Sequence, residues 1–264
     1  GMGVRESSPP LSYTGGGGKY TGFHVELCQR AIDNIKTALK LPKLDIEYMP
    51  VTSQNRIPLM ENGTIDIECG STTNNAERQK QVSYTNTHFV TANRFVALKK
   101  SKVKSLADLK GKTVVSTAGT TNIKGITEIN AAKNAGMNIV SANGHPESFL
   151  MVETGRAMAF FMDDILLYSL VATSKDPKAF VISSEAYWVE PYGIMIPKDD
   201  AAFKKVADAA TAKLYKSGEI NKIYSKWFQS KIPPKGVNLN VPMSAQLKKS
   251  FAKPTDSPDP NDYK

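Results

Sequence analysis

The sequence has 264 residues, with 34 basic and 25 acidic side chains and a formal net charge of +9. Apolar residues make up 41% and charged residues 22%, ordinary globular usage that excludes a disordered or collagen-like chain. Mean hydropathy is −0.32, and the absence of any run of about 18 consecutive apolar residues excludes a membrane-spanning helix. At roughly 150 residues per domain the length fits one large domain or two modest ones, enough to bury a core without staples or metals. The basic excess favours an anionic partner but does not choose among nucleic acid, an anionic membrane and a small acid.

Strands and helices alternate along most of the chain, which predicts an α/β fold with largely parallel sheets. Gly15 to Gly18 reads as a turn between Tyr13 and Tyr20. In Phe23 to Lys40 the spacing of Cys28, Ala31, Ile32, Ile35 and Leu39 predicts one apolar helix face. Leu44 to Tyr48 alternates as a strand, Ser53 to Asn62 reads as a short helix stopped by Gly63, and Ile65 to Cys69 alternates again. Arg94 to Leu98 is a further strand. Ser105 and Asp108 form a capping-box pattern with Asp in place of Glu, opening a brief helix that ends at Gly111.

Thr113 to Thr117 reads as a buried strand, followed by a turn at 118–121 and a helix to about Asn134. Strand, helix and strand follow at Ile139-Val140, Glu147 to Thr154 and Ala157 to Met162, with Asp163 and Asp164 at the carboxyl end of the last. After a helix at Ile165 to Thr173 and strands at Phe180 to Ile182 and Gly193 to Ile196, two helices run from Ala201 to Phe228. From Ser230 the composition turns Pro- and Asn-rich, which predicts a tail that wraps the surface or frays. Polar loops follow apolar strands at 69–73, 118–121 and 163–164, the strand ends where open α/β sheets bind ligands.

Enzyme signatures are thin. Gly18-Lys19-Tyr20 lacks both the earlier glycine and the following Ser or Thr of a phosphate loop. Neither G-x-G-x-x-G nor G-x-S-x-G occurs, and Ser101-Lys-Val-Lys104 matches S-x-x-K at a frequency that chance supplies in a Lys-rich chain. His24, His88 and His145 have no metal-ligand spacing. Basic residues are scattered without a run of five, unlike a nucleic-acid surface. Cys28 and Cys69 make no redox or zinc motif; a disulfide and a pair of core thiols are both open to them. Gly1-Met2-Gly3 brings neither a basic nor an apolar leader region, so no signal peptide stands in this sequence.

Val4-Arg-Glu-Ser-Ser8, Thr52-Ser-Gln-Asn-Arg-Ile-Pro58 and Glu68-Cys-Gly-Ser-Thr-Thr-Asn-Asn75 together resemble the amino-acid-binding proteins of bacterial ABC importers, above all the periplasmic glutamate/aspartate-binding group. The resemblance continues through Glu77-Arg78, Gly119-Thr-Thr121, Met162-Asp-Asp164 and Lys226-Trp-Phe228. It implies a two-lobed type II periplasmic-binding-protein fold, with residues 1–94 plus 193–264 as lobe 1 and residues 95–192 as an inserted lobe 2. Ligand would lie in the interlobe cleft, across a two-strand hinge.

The resemblance also implies ligand-binding roles. Arg78 would fork the α-carboxylate, with Thr120 and Thr121 closing on it. Asp163, the Ser71 carbonyl and the Thr73 hydroxyl would take the α-ammonium, leaving Asp164 as a helix cap. Arg5, Ser53, Arg56 and His145 match the positions that hold a second carboxylate, and two guanidiniums aimed at one pocket suit an anion rather than a neutral amide. The implied partners are L-glutamate or L-aspartate and a membrane-embedded ABC permease. A periplasmic monomer is expected, with no cofactor, metal, nucleic acid or catalytic residue. In the same fold Cys28 and Cys69 come close enough for a disulfide. The alternatives are a receptor for another polar amino acid or a dicarboxylate, and a cyclohexadienyl dehydratase-like enzyme on this scaffold.

Overall fold

A computed structural model describes residues 1–264 as two α/β units. The first comprises Gly1–Val51, Asn55–Val90 and Glu190–Lys264; the second comprises Thr52–Gln54 and Thr91–Val189.

The first unit is built on a five-stranded sheet in which Met2–Val4 lies between Tyr48–Pro50 and Ile67–Cys69, parallel to both. Met195–Pro197 joins antiparallel beside Ile67–Cys69, and Val82–Tyr84 forms the far edge. Val51, Met60, Ile65, Val82, Tyr84 and Met195 form a core cluster of this unit. The helix Phe23–Ala38 buries Cys28, Ala31 and Ile35 of its predicted face together with Phe23 and Leu27, whereas Ile32 is half-buried and Leu39, predicted on the same face, is exposed because the helix ends before it. A separate three-stranded sheet contains the Ser12–Thr14 and Tyr20–Thr21 hairpin around the glycine turn.

In the second unit Thr113–Thr117 runs parallel to Asn138–Ala142 and to Ala159–Asp163. Ala159–Asp163 pairs antiparallel with the long strand Phe89–Leu98. Phe95, Val114, Ile126 and Phe161 centre its core. The Ser105/Asp108 capping box is present at the start of a 3₁₀ turn over Leu106–Leu109.

Three further expectations need correction. Pairing on the strand predicted at Leu44 begins only at Tyr48, because the three residues Met2–Val4 offer partners to Tyr48, Met49 and Pro50 alone. Asp164 is not a helix cap. It is the first residue of the helix Asp164–Ala172, and its carboxylate pairs with Arg94 at 3.1 Å and accepts from the Thr91 hydroxyl. The tail is also more ordered than its composition predicts. Ser244 caps a helix over Ala245–Ala252 through the Leu247 amide at 3.1 Å, and Phe251 packs on Tyr215 with ring centroids 4.6 Å apart.

Cys28 and Cys69 form a disulfide, which ties the first helix to the carboxyl end of the Ile67–Cys69 strand. One turn before Cys28, His24 accompanies it. A carbonyl only accepts, so His24 Nδ1 carries the proton that goes to Gly70 O at 2.7 Å. An imidazole nitrogen of His24 lies within 4.8 Å of both sulfurs. Metals take thiolates, and these sulfurs are bonded to each other. The His88 ring stands 3.8 Å from that of His24, and both residues are fully buried. Burial pushes His24 down to about 4 despite the Gly70 hydrogen bond and Glu68. His88 lies well below its ordinary range, through burial first and His24 second.

Two outcomes are expected from this arrangement. The cross-link joins residues 41 apart, so Cys28→Ser/Cys69→Ser should lose about 2–4 kcal/mol in urea denaturation; an unchanged unfolding free energy would contradict a structural role. Both histidines titrate lower folded than unfolded. The unfolded chain therefore binds more protons between about 4 and 6.5, and stability should be complete above that window and fall as pH drops through it. For His24 alone the loss is roughly 3 kcal/mol. A His24→Gln variant should show a shallower decline between pH 6.5 and 4, and an identical slope would sink this account.

Candidate functional site

On the first unit, the strand Ile67–Cys69 delivers Gly70 to Thr73 at its carboxyl end, where Arg5, Arg56 and Arg78 are also buried. Gly70 packs closely on both side chains: a Cβ there would meet Glu68 Oε2 at 2.9 Å and Arg5 Cγ at 3.0 Å, and the carboxylate would have to shift. Arg56 opens the short helix Arg56–Glu61 and donates from Nη1 to Thr72 Oγ1 at 2.9 Å and to Ser71 O at 3.3 Å. The Thr72 hydroxyl in turn donates to Glu68, at 2.6 and 2.8 Å from the two carboxylate oxygens. Arg78 donates from Nη1 to Thr73 O at 2.8 Å, while its backbone N–H is held by Asn75 Oδ1 at 2.8 Å. The Thr73 hydroxyl donates to Glu190, and the Ser71 hydroxyl donates to Ser8 Oγ at 3.2 Å.

Arg56 feels the other two guanidiniums. Burial pushes Arg56 down to about 9, and the charges of Arg78 and Arg5 push the same way, while Glu68 and Tyr84 oppose them. It remains a cation at neutral pH. Arg5 is lowered by burial, against the pull of Glu68 and Tyr192. Tyr84 is pushed up to about 12 by burial, partly offset by Arg78 and Arg56. These buried groups, three guanidiniums against Glu68 and Glu190, leave one positive charge in surplus on this unit.

Of the other predicted residues, Ser53, Thr120, Thr121, His145 and Asp163 belong to the second unit. Ser53 lies against the turn before Thr120, since a Cβ on Gly119, at φ +79, would fall 2.7 Å from its carbonyl oxygen. Thr120 caps the helix Thr121–Ala132, accepting from the Ile123 amide at 3.2 Å and donating to Thr117 O at 2.7 Å. The hydroxyl is spent on the cap, and Thr121 begins the helix, where backbone N–H groups favour an anion. His145 starts the helix His145–Glu153 with Nδ1 2.9 Å from Thr117 Oγ1. Asp163 is buried at the end of Ala159–Asp163, at the N-terminus of the next helix, with no capping hydrogen bond. The unit thus gathers hydroxyls, an imidazole, helix starts and one acid at the carboxyl ends of its strands.

Three residues of the arrangement, Glu68, Thr72 and Glu190, were not among the predicted site residues. Glu68 and Thr72 stand inside the 68–75 motif, where an acid two residues before a buried Gly-Ser-Thr-Thr run is the available signal. Glu190 has no local signal, because its partner Thr73 is 117 positions away.

The sequence profile of the bacterial extracellular solute-binding proteins, family 3, matches residues 1–230. The L-glutamate/L-aspartate-binding protein of Pseudomonas aeruginosa is 52% identical over 256 residues, which covers 97% of this chain and 85% of that protein. The glutamate/aspartate import solute-binding protein of Escherichia coli K12 is 43% identical over 255 residues, covering 97% and 84%. Among solved structures, an ancestral arginine-binding protein bound to arginine superposes with a TM-score of 0.77 at 28% identity, over 86% of this chain and 96% of that one. By profile, by identity over nearly its whole length and by fold, the chain belongs to the bacterial extracellular solute-binding proteins of family 3.

Proposed function

We propose that this protein is a periplasmic receptor that captures L-glutamate or L-aspartate and delivers it to a membrane-embedded ABC permease. The observation that carries the reading is the set of three buried guanidiniums on the first unit, Arg5, Arg56 and Arg78. Like charges buried together are costly unless an anion joins them. A ligand with two carboxylates offsets that repulsion at both ends, whereas an amino acid with a neutral amide side chain brings only its α-carboxylate. The two relatives that cover nearly the whole chain are named for glutamate and aspartate. Both are binding proteins by name, and this chain is likewise a binding protein and not an enzyme.

In this reading Arg78 forks the α-carboxylate, and the Thr121 helix start with Thr120 completes its shell. Arg56 and Arg5, with Ser53 and His145, hold the side-chain carboxylate. Asp163, the Ser71 carbonyl and the Thr73 hydroxyl take the α-ammonium. Groups of the first unit meet the amino acid first, and those of the second then close on it, in a monomer that needs neither cofactor nor metal.

Titration calorimetry with glutamate, aspartate, glutamine and arginine tests the reading. Tight binding of an acidic amino acid is expected; tight binding of glutamine with no heat from either acid would overturn it. Removing one partner of a buried charge pair costs about 2–5 kcal/mol, on the order of 30-fold or more. Arg78→Ala should therefore lose every amino acid, whereas Arg56→Ala should lose mainly the preference for acids. Glutamate affinity within a few-fold of wild type in Arg78→Ala would refute the α-carboxylate assignment.

A further inference from the structure

Two adjacent threonines carry similar relays in the first unit, and only one is complete within the protein. At Thr72 a cation donates to the hydroxyl oxygen and the hydroxyl donates to a buried acid: Arg56 Nη1 to Oγ1 at 2.9 Å, then Oγ1 to Glu68 at 2.6 Å. At Thr73 the second half repeats, with the hydroxyl donating to the buried Glu190. A hydroxyl has one proton and two lone pairs. With its proton held by Glu190, Thr73 Oγ1 can only accept from any further group. An ammonium can only donate. We propose that Glu190 is the positioning residue for the ligand's α-ammonium. It orients Thr73 as an obligate acceptor and sets a negative charge behind it, so that ammonium, Thr73 and Glu190 reproduce the chain formed by Arg56, Thr72 and Glu68.

The backbone keeps the two segments in register for this task. Thr73 bridges Tyr192 in antiparallel fashion, and the Asn74 N–H donates to Pro191 O at 2.8 Å, on the same strand, Val189–Tyr192, that carries Glu190. Arg78 holds the Thr73 carbonyl at 2.8 Å, which fixes the backbone from which the hydroxyl reaches Glu190. Glu68 is engaged with the Arg56 end of the cluster. Glu190 is the acid beside Thr73, where charge selection of an amino group would operate. The ligand class that follows is the α-amino acid rather than the plain dicarboxylate, a choice the arginines do not make.

This inference rests on the reading of the protein as an amino-acid receptor, and calorimetry separates the two. The wild type should bind L-glutamate or L-aspartate; failure with both would overturn the receptor reading itself. Glu190→Gln should weaken L-glutamate at least tenfold with an unchanged thermal midpoint. It should bind glutarate, which keeps both carboxylates and lacks the ammonium, at least as well as the wild type does. Glu190→Asp should recover part of the loss. Combined with Thr73→Val, Glu190→Gln should cost clearly less than the sum of the two single losses, because the orienting effect acts through one hydroxyl. Glutamate affinity within twofold of wild type in Glu190→Gln would overturn the inference while leaving the receptor reading intact. So would additive losses in the double variant.

Discussion

Burial of three guanidiniums in one unit is the constraint on which the rest of this structure depends. Each of Arg5, Arg56 and Arg78 has left water, and each such transfer is unfavourable unless hydrogen bonds and opposite charge replace the lost solvation. The unit replaces part of it from within. Thr72 and Glu68 serve Arg56, the Thr73 carbonyl serves Arg78, and Glu68 pulls on Arg5. What these groups leave is a cluster biased toward anions, on a scaffold stiff enough to keep it assembled.

That stiffness has identifiable sources. The cluster sits at the carboxyl end of Ile67–Cys69, a strand between two neighbours in the sheet. The disulfide ties the strand's last residue to the first helix, and His24 holds the next carbonyl, that of Gly70. A neutral imidazole suits this task, since a second proton would place a charge in a dry core beside His88. Support of the site and acid sensitivity of the fold thus share residues. The loop 70–73 is short, glycine-led and packed on Glu68, and buried acids and arginines hold its hydroxyls and carbonyls in place.

Much of this was legible in the residues, and what was not has physical reasons. Apolar periodicity marked the Phe23–Ala38 helix, and the valine-rich run marked Thr113–Thr117 at its observed limits. The Ser105/Asp108 pattern marked a real capping box, because capping is a local interaction. Edges set by a partner strand were misplaced, as at Tyr48, since pairing depends on residues far away. The helix Ala245–Ala252 was missed behind a Pro- and Asn-rich stretch, although Ser244 and the spacing of Leu247 and Phe251 carried its signal. Asp164 read as a cap because its partner Arg94 is 70 residues distant. The motifs pointed to the arginines and contained Glu68, but the second acid behind them, Glu190, emerged only in three dimensions. Glu190 reaches Thr73 across 117 positions, a separation that no spacing rule covers.

The central claim is that the buried arginines divide the ligand's two carboxylates between them, Arg78 taking the α-carboxylate and Arg56 the side-chain carboxylate. A crystal structure of the protein with L-glutamate bound tests it most directly. The account predicts the α-carboxylate forked by Arg78, the distal carboxylate against Arg56 and Arg5, and the ammonium on Thr73 Oγ1. A ligand bound the other way round, or seated away from all three guanidiniums, would contradict it.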